Sequence, residues 1–154
     1  MTIRRKDGSH LEVLLVEDSP GDVRLTREAF RDANSSVRLH VASDGVEAIA
    51  FLRRAGARAD APRPDFILLD LNLPRMDGRE LLVQIKADRS LRTIPVVILT
   101  TSDADADVTR SYELGANAYL KKPVTLEAFE NLVKSINDFW LVKATLPSTG
   151  HGDD

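Results

Sequence analysis

Acidic side chains directly follow two of the most apolar segments in this sequence. Glu17 and Asp18 follow the run LEVLLV. Asp70 follows the run FILL and is the fourth residue of the segment ILLDLNLPRMDG. A carboxylate at the end of a buried strand is costly unless another group compensates its charge. If the two strands are neighbours, three carboxylates meet at one edge of a sheet and require a cation. Oxygen ligands of this kind favour Mg²⁺.

Two other strand-like segments end in groups that suit a phosphoryl group. Thr100 ends the run VVILT, and Lys122 follows AYLK. A divalent cation, a lysine and a hydroxyl are what phosphoryl transfer needs, because the reaction depends mainly on positioning and charge stabilisation. A strand-end aspartate such as Asp70 can be the nucleophile and form an acyl phosphate. Each residue alone also has a structural explanation, as a helix cap, a turn residue or a strand end, but their joint occurrence favours the chemistry.

The elements that must position these residues alternate along the chain. Short apolar runs predict five strands, at Leu11–Val16, Val37–Ala42, Phe66–Asp70, Pro95–Thr100 and Ala118–Lys121. Helical spacing and end signals predict five helices, from Ser19-Pro20 to about Ala33, from Asp44 to Gly56, over Gly78–Asp88, over Asp103–Leu114, and after the cap Thr125. Five strand–helix repeats predict an α/β fold, a doubly wound (βα)5 parallel sheet with helices on both faces.

The composition indicates one globular domain. The chain has 154 residues, of which 43% are hydrophobic and 29% charged, and it contains no cysteine. Disulfides, thiolate zinc sites and cysteine nucleophiles are therefore excluded. The net charge of −3 argues against broad binding to nucleic acid or to an anionic membrane. Without a membrane-spanning run or a signal peptide, we expect a cytoplasmic protein with an N-terminal tail (1–10), one domain (11–143) and a C-terminal tail (144–154).

Four motifs together resemble the receiver domain of two-component response regulators, over about Leu11 to Leu141: LLVEDSPGD, ILLDLNLPRMDG, VVILTTSD and GANAYLKKP. The resemblance implies a chemotaxis-type receiver with the flavodoxin-like strand order 2-1-3-4-5. It implies that Asp70 is the phosphoacceptor. It also implies that Asp18, Asp70 and the backbone carbonyl of Asn72 ligate Mg²⁺, with Glu17 acting through water.

The same resemblance implies a conformational switch. Thr100 would bond a phosphoryl oxygen, Lys122 would pair with the phosphate, and Tyr119 occupies the position of the family's aromatic switch residue. Phosphorylation would then reshape the face formed by helix 4, strand 5 and helix 5. The Lys122–Pro123 bond is expected to be cis, as in the family.

Asn72 and Ser102 would flank the path of the hydrolytic water, so we expect the dephosphorylation rate to be sensitive to them. Asn72 also separates two classes of function. An aspartyl-phosphate phosphatase of the haloacid-dehalogenase type would carry an aspartate there as general acid, which an asparagine cannot replace. The resemblance therefore implies a phosphoacceptor rather than an enzyme, and an output regulator, a phosphorelay intermediate and a phosphate sink all remain open as its role.

Several further stretches, FLRR, DLNLPRMDGRE, SYELGANAYLKKP and SINDFWL, resemble the single-domain regulators partnered with bacterial phytochrome-type histidine kinases. The implied partner is a sensor histidine kinase whose own histidine is the phosphodonor. His10, His40 and His151 are then not needed for transfer, and we expect His40 to be structural. A homodimer through helix 4, strand 5 and helix 5 is also implied. Trp140 lies on the apolar stripe of the last helix, and we expect it in the core.

Overall fold

The computed structural model describes residues 10–32 and 37–139. Both predicted tails apart from His10, the predicted end of the first helix at Ala33, and the expectations for Trp140 and His151 lie outside the described residues. Among the residues that are described, no helix is long and apolar enough to cross a membrane.

Five parallel strands form one sheet in the order β2-β1-β3-β4-β5, which confirms the predicted topology. Their bounds are β1 Leu11–Val16, β2 Val37–Ala42, β3 Phe66–Leu69, β4 Val96–Thr100 and β5 Ala118–Lys121. β3 ends one residue earlier and β4 begins one residue later than predicted. Every residue of β3 and β4 is buried, as expected of central strands that are covered on both faces.

Five helices cover the two faces of the sheet: α1 Pro20–Asp32, α2 Gly45–Arg53, α3 Gly78–Ala87, α4 Asp105–Glu113 and α5 Leu126–Ile136. Two separate apolar clusters result. Leu14 and Ile67 pack with Leu82 of α3 on one face, whereas the alternate strand residues face Phe30 of α1 and Phe129 of α5. The strands are therefore held in place by helices packed on both faces of the sheet.

The N-caps of α2 and α5 follow the sequence signals closely. Asp44 accepts the Glu47 N–H at 2.7 Å, and the Glu47 carboxylate accepts the Ser43 N–H at 2.8 Å. Thr125 accepts the Ala128 N–H at 3.1 Å, as its predicted role requires. The predicted end of α2 at Gly56 is wrong. The helix stops at Arg53 because Arg54 adopts the left-handed conformation, with φ 54°.

His40 makes structural contacts on the edge strand β2. Its Nε2 shares a hydrogen bond with Glu12 Oε1 at 2.6 Å, and its ring lies 5.3 Å from that of Phe51. These contacts agree with the structural role expected for this histidine.

Gly78 lets α3 begin directly against the chain that follows β3. A Cβ at this position would lie 2.3 Å from the Asp70 carbonyl oxygen and 2.7 Å from Leu71 Cα. Both obstacles are backbone atoms, so they cannot move aside cheaply. We expect Gly78→Ala to lower the free energy of unfolding by about 1–3 kcal/mol, measured by urea denaturation.

The matched control is Gly21→Ala in the first turn of α1. Its added Cβ would meet Ser19 Oγ at 3.9 Å, an ordinary contact. Alanine forms helices better than glycine, so this variant should be unchanged or more stable by up to about 1 kcal/mol. Equal destabilisation of both variants would contradict the steric explanation.

Candidate functional site

The parallel register brings the ends of the central strands to one edge. Val16 of β1 lies opposite Leu69 of β3, so the residues that follow them, Glu17 and Asp70, emerge side by side. The Asp70 N–H donates to the Val16 carbonyl at 3.1 Å. In open α/β sheets this carboxyl edge is where ligands bind.

The Asp70 carboxylate is buried and held by three donors. Its Oδ1 accepts hydrogen bonds from the Thr100 hydroxyl at 3.0 Å and from the Asn72 N–H at 3.1 Å. Its Oδ2 accepts from Lys122 Nζ at 3.1 Å. These bonds fix the orientation of the carboxylate, and each donor is a group that can also bind a phosphoryl oxygen.

Lys122 is the counter-charge shared by the acidic groups of the site. Besides Asp70, its Nζ donates to Asp22 Oδ2 at 2.9 Å and to Glu17 Oε1. Burial lowers the pKa of Lys122, but its bonds and charges with Glu17, Asp22 and Asp70 outweigh burial and raise that pKa above the ordinary value. The ammonium therefore remains charged at neutral pH.

Glu17 is almost fully buried beside this lysine, with an exposed fraction of 3%. Its second oxygen accepts the Ser19 N–H at 3.1 Å. Burial raises the pKa of the Glu17 carboxyl, and the hydrogen bond and charge of Lys122 oppose that rise. The carboxylate thus depends on a nearby cation to stay ionised.

Asp22 is a site residue that the sequence reasoning missed. It lies half-buried in the first turn of α1, where its N–H donates to the Ser19 hydroxyl at 3.3 Å. An acidic residue in a first helical turn is ordinarily explained by the helix dipole. The available signal was its position in the motif LLVEDSPGD, just after the strand that carries Glu17 and Asp18.

The acidic groups suit a divalent cation. Glu17, Asp18 and Asp70 each offer an oxygen, and these oxygens all lie within 4.8 Å of one another. Asp18 is exposed, whereas the other two are buried, so a cation can reach these oxygens from solvent. Carboxylate oxygens at this spacing are the donors that Mg²⁺ prefers, and Asn72 lies beside them.

The segment after β4 connects the site with the rest of the sheet edge. Tyr119 is half-buried, and its hydroxyl donates to the Ser102 carbonyl at 2.9 Å. The Ser102 hydroxyl donates to Asp107 Oδ2 at 2.6 Å, toward α4. Ser102 lies two residues beyond Thr100, so the predicted switch residues belong to one connected region.

The predicted cis form of the Lys122–Pro123 bond is wrong. No cis peptide bond occurs within residues 10–32 and 37–139, so this bond is trans. The trans form is favoured by about 0.5–1 kcal/mol before proline. With it, the Lys122 N–H still donates to the Thr100 carbonyl at 2.7 Å, and the ammonium still reaches its carboxylates.

The five-stranded fold, with its acidic site at the carboxyl ends of the strands, is that of a receiver domain. The family model of the response regulator receiver domain matches residues 13–135, so the chain belongs to the response regulator family. Response regulator Rcp1 from Synechocystis sp. (strain ATCC 27184 / PCC 6803 / Kazusa) is 47% identical over 136 residues, which are 88% of this chain and 92% of Rcp1.

Two solved structures of such regulators are similar in sequence and in fold. The Mn²⁺-bound form of Rcp1 is 46% identical with a TM-score of 0.85, covering 90% of this chain and 99% of that chain. The phosphorylated cyanobacterial phytochrome response regulator RcpA is 47% identical with a TM-score of 0.87, covering 91% of this chain and 100% of that chain. The predicted family is therefore confirmed, and the cluster of Glu17, Asp18 and Asp70 suits the predicted divalent metal.

Proposed function

We propose that Asp70 accepts a phosphoryl group from a sensor histidine kinase of the bacteriophytochrome type, and that the modified domain signals through the face formed by α4, β5 and α5. The observation that carries this proposal is the set of donors around the Asp70 carboxylate. A hydroxyl, a backbone N–H and an ammonium fix the nucleophile, and oxygens of Glu17, Asp18 and Asp70 lie within 4.8 Å of one another. This combination stabilises charge on a transferring phosphoryl group.

The transfer step needs few groups besides the nucleophile. One oxygen of Asp70 forms the new bond to phosphorus while the bond from phosphorus to the donor histidine nitrogen breaks, and the nitrogen keeps the electron pair. The Thr100 hydroxyl then exchanges the carboxylate for a phosphoryl oxygen. Lys122, charged at neutral pH, offsets the added negative charge.

The metal would be held by Asp18, Asp70 and the backbone carbonyl of Asn72, with Glu17 acting through water. When bound, Mg²⁺ supplies further neutralisation of the phosphoryl oxygens. The rate of dephosphorylation is expected to depend on Asn72 and Ser102, which lie two residues after Asp70 and two residues after Thr100. Asn72 also disfavours a phosphatase, because its amide cannot act as a general acid.

The switch would begin at Thr100 and reach Tyr119 through Ser102. Movement of the Thr100 hydroxyl toward a phosphoryl oxygen shifts the segment that follows β4, whose Ser102 carbonyl accepts the Tyr119 hydroxyl. Tyr119 is then free to turn inward and to change the face formed by α4, β5 and α5. That face would deliver the output, unless the protein relays or drains phosphoryl groups.

The kinase assignment rests on the phytochrome regulators among the similar proteins, and phosphotransfer kinetics test it. A phosphorylated bacteriophytochrome-type kinase should transfer its phosphoryl group to this protein at least about tenfold faster than an unrelated kinase of equal labelling, a difference of about 1.4 kcal/mol in barrier. Equal rates from both kinases would contradict the partner class. They would leave Asp70 as the phosphoacceptor.

We further propose a homodimer through the face formed by α4, β5 and α5. Large apolar side chains are exposed at or near this face: Tyr112, Val124, Leu126 and Phe139. Light scattering at high micromolar concentration, with and without an acyl-phosphate mimic, should detect the dimer. Tyr112→Glu should abolish it, and Val83→Glu, at a similarly exposed position on α3, should not. A wild-type protein that stays monomeric under both conditions would contradict this proposal.

A further inference from the structure

Polar contacts, rather than a buried apolar stripe, hold α4 in place. Within α4, all of which the structure describes, Ser111 is the one buried residue. By contrast, the neighbouring helix α3 buries Leu81, Leu82 and Ile85 in the core. A helix is normally fixed on a sheet by an apolar face. The position of α4 therefore depends on polar contacts, among them those of its first turn.

Asp107 makes the main contacts of that first turn. Its Oδ1 accepts from Arg79 Nη2 at 2.6 Å, and its Oδ2 accepts from the Ser102 hydroxyl at 2.6 Å. Arg79 lies in the first turn of α3, where it also contacts Asp77 at 3.3 Å. The side chains of Arg79 and Asp107 are each only about 30% exposed, at 30% and 29%, so solvent screens their attraction less than that of a fully exposed pair.

These bonds form a continuous connection from α3 to the Asp70 site. Arg79 follows Gly78, which packs against the Asp70 backbone. Through Asp107, Arg79 holds the hydroxyl of Ser102, the residue whose carbonyl accepts the Tyr119 hydroxyl. The held segment includes Thr100, which donates to Asp70 in this structure. The segment 100–102, which must move when Asp70 is modified, is thus held at Thr100 by Asp70 and at Ser102 by Asp107.

We propose that Arg79 is a positioning residue that restrains phosphorylation of Asp70. Through Asp107 and Ser102 it holds the segment after β4 in the arrangement in which Thr100 contacts the unmodified carboxylate. A contact made in one of two states shifts the population toward that state, and its loss shifts the population back. This inference rests on the proposed role of Asp70 as phosphoacceptor, and it adds a residue that no metal or phosphoryl contact requires.

The expected effect of releasing the restraint is faster modification. With acetyl phosphate and Mg²⁺, Arg79→Gln should raise the initial rate of phosphorylation about two- to fivefold, the range that one partly screened ion pair can supply. Asp107→Asn releases the same connection from α4 and should give the same increase. The double variant should be no faster than either single variant, because both break one connection. Arg79→Lys, which retains the charge, should stay closer to the wild-type rate.

The matched control is Arg110→Gln. Arg110 also lies on α4, but its ion pair is with Glu113 of the same helix, at 3.8 Å and with both side chains exposed. This variant should keep the wild-type rate. A purely structural role for Arg79 would lower the unfolding midpoint without raising the phosphorylation rate.

Two kinds of failure can be told apart. If wild-type protein is phosphorylated at Asp70 but neither Arg79→Gln nor Asp107→Asn is faster, the restraint is refuted and the proposed function stands. If Asp70→Asn protein is labelled as readily as wild type, the phosphoacceptor assignment fails and the restraint fails with it. An acceleration in Arg110→Gln equal to that in Arg79→Gln would also refute the restraint, because any loss of charge near α4 would then suffice.

Discussion

Asp70→Asn protein is expected to take up no phosphoryl group, either from acetyl phosphate with Mg²⁺ or from a histidine kinase. The amide cannot form the acyl phosphate, because its atoms are not nucleophilic as a carboxylate is. The fold should be retained, since asparagine has nearly the same shape and its oxygen can still accept from Thr100 and the Asn72 N–H. Intact-mass measurement after reaction gives the readout, with circular dichroism as the check on folding.

Asp88→Asn is the control for that result. Asp88 caps the C-terminal end of α3, and its carboxylate bonds to the N–H and hydroxyl of Ser90. Because α3 starts at the carboxyl edge of the sheet, Asp88 lies toward the opposite edge. This variant should therefore be labelled as fully as wild type. Label that persists in Asp70→Asn protein would show that another residue accepts the phosphoryl group.

Lys122→Met is expected to destabilise the fold strongly. Methionine matches the length of the lysine stem but leaves the buried Glu17 carboxylate without its counter-charge. Removing one partner of a buried ion pair costs about 3–5 kcal/mol, because the other charge stays buried and unpaired. Urea denaturation in metal-free buffer should show a decrease of this size in the free energy of unfolding.

The adjacent lysine provides a close comparison. Lys121 pairs with Asp103 at 2.9 Å, but both side chains are largely exposed, at 56% and 73%. Exposed pairs contribute little, so Lys121→Met should change the free energy of unfolding by less than about 1 kcal/mol. Equal losses in the two variants would contradict the view that burial of Glu17, rather than loss of any lysine, sets the cost.

The pH dependence of this loss follows from the direction of the Glu17 pKa. Burial raises that pKa in the folded protein, and without Lys122 it should rise further. A carboxyl with a raised folded pKa stabilises the fold below its unfolded pKa, and that contribution is lost as the pH rises through the folded pKa. Lys122→Met protein should therefore be closer to wild type at about pH 5 than at about pH 8. A deficit independent of pH would point to lost packing instead.

The sequence was informative where one physical rule controls the outcome. The short apolar runs predicted the strands to within one residue, most clearly for β3 and β4, which are buried throughout because both of their faces are covered. Since the ends of parallel strands meet, the same reading placed Glu17, Asp70, Thr100 and Lys122 at one edge, and the structure brings them together. Those predictions needed no knowledge of distances between helices.

The features that could not be predicted depend on contacts between distant elements or on rare backbone states. Asp22 contacts a lysine 100 positions away in the sequence, and Arg79 meets Asp107 only because α3 and α4 begin side by side. Arg54 ends α2 in a left-handed conformation that non-glycine residues seldom adopt. The Lys122–Pro123 bond is trans although the family resemblance implied cis.

Chemical location of the phosphoryl group tests the central claim most directly. Wild-type protein is treated with acetyl phosphate and Mg²⁺, reduced with borohydride, which converts an aspartyl phosphate to the corresponding alcohol, and sequenced by tandem mass spectrometry. We predict reduction at Asp70, with Glu17, Asp18 and Asp22 intact. Reduction at any other carboxylate, or a phosphoryl group found on a hydroxyl or a histidine, would contradict the assignment of Asp70 as the phosphoacceptor.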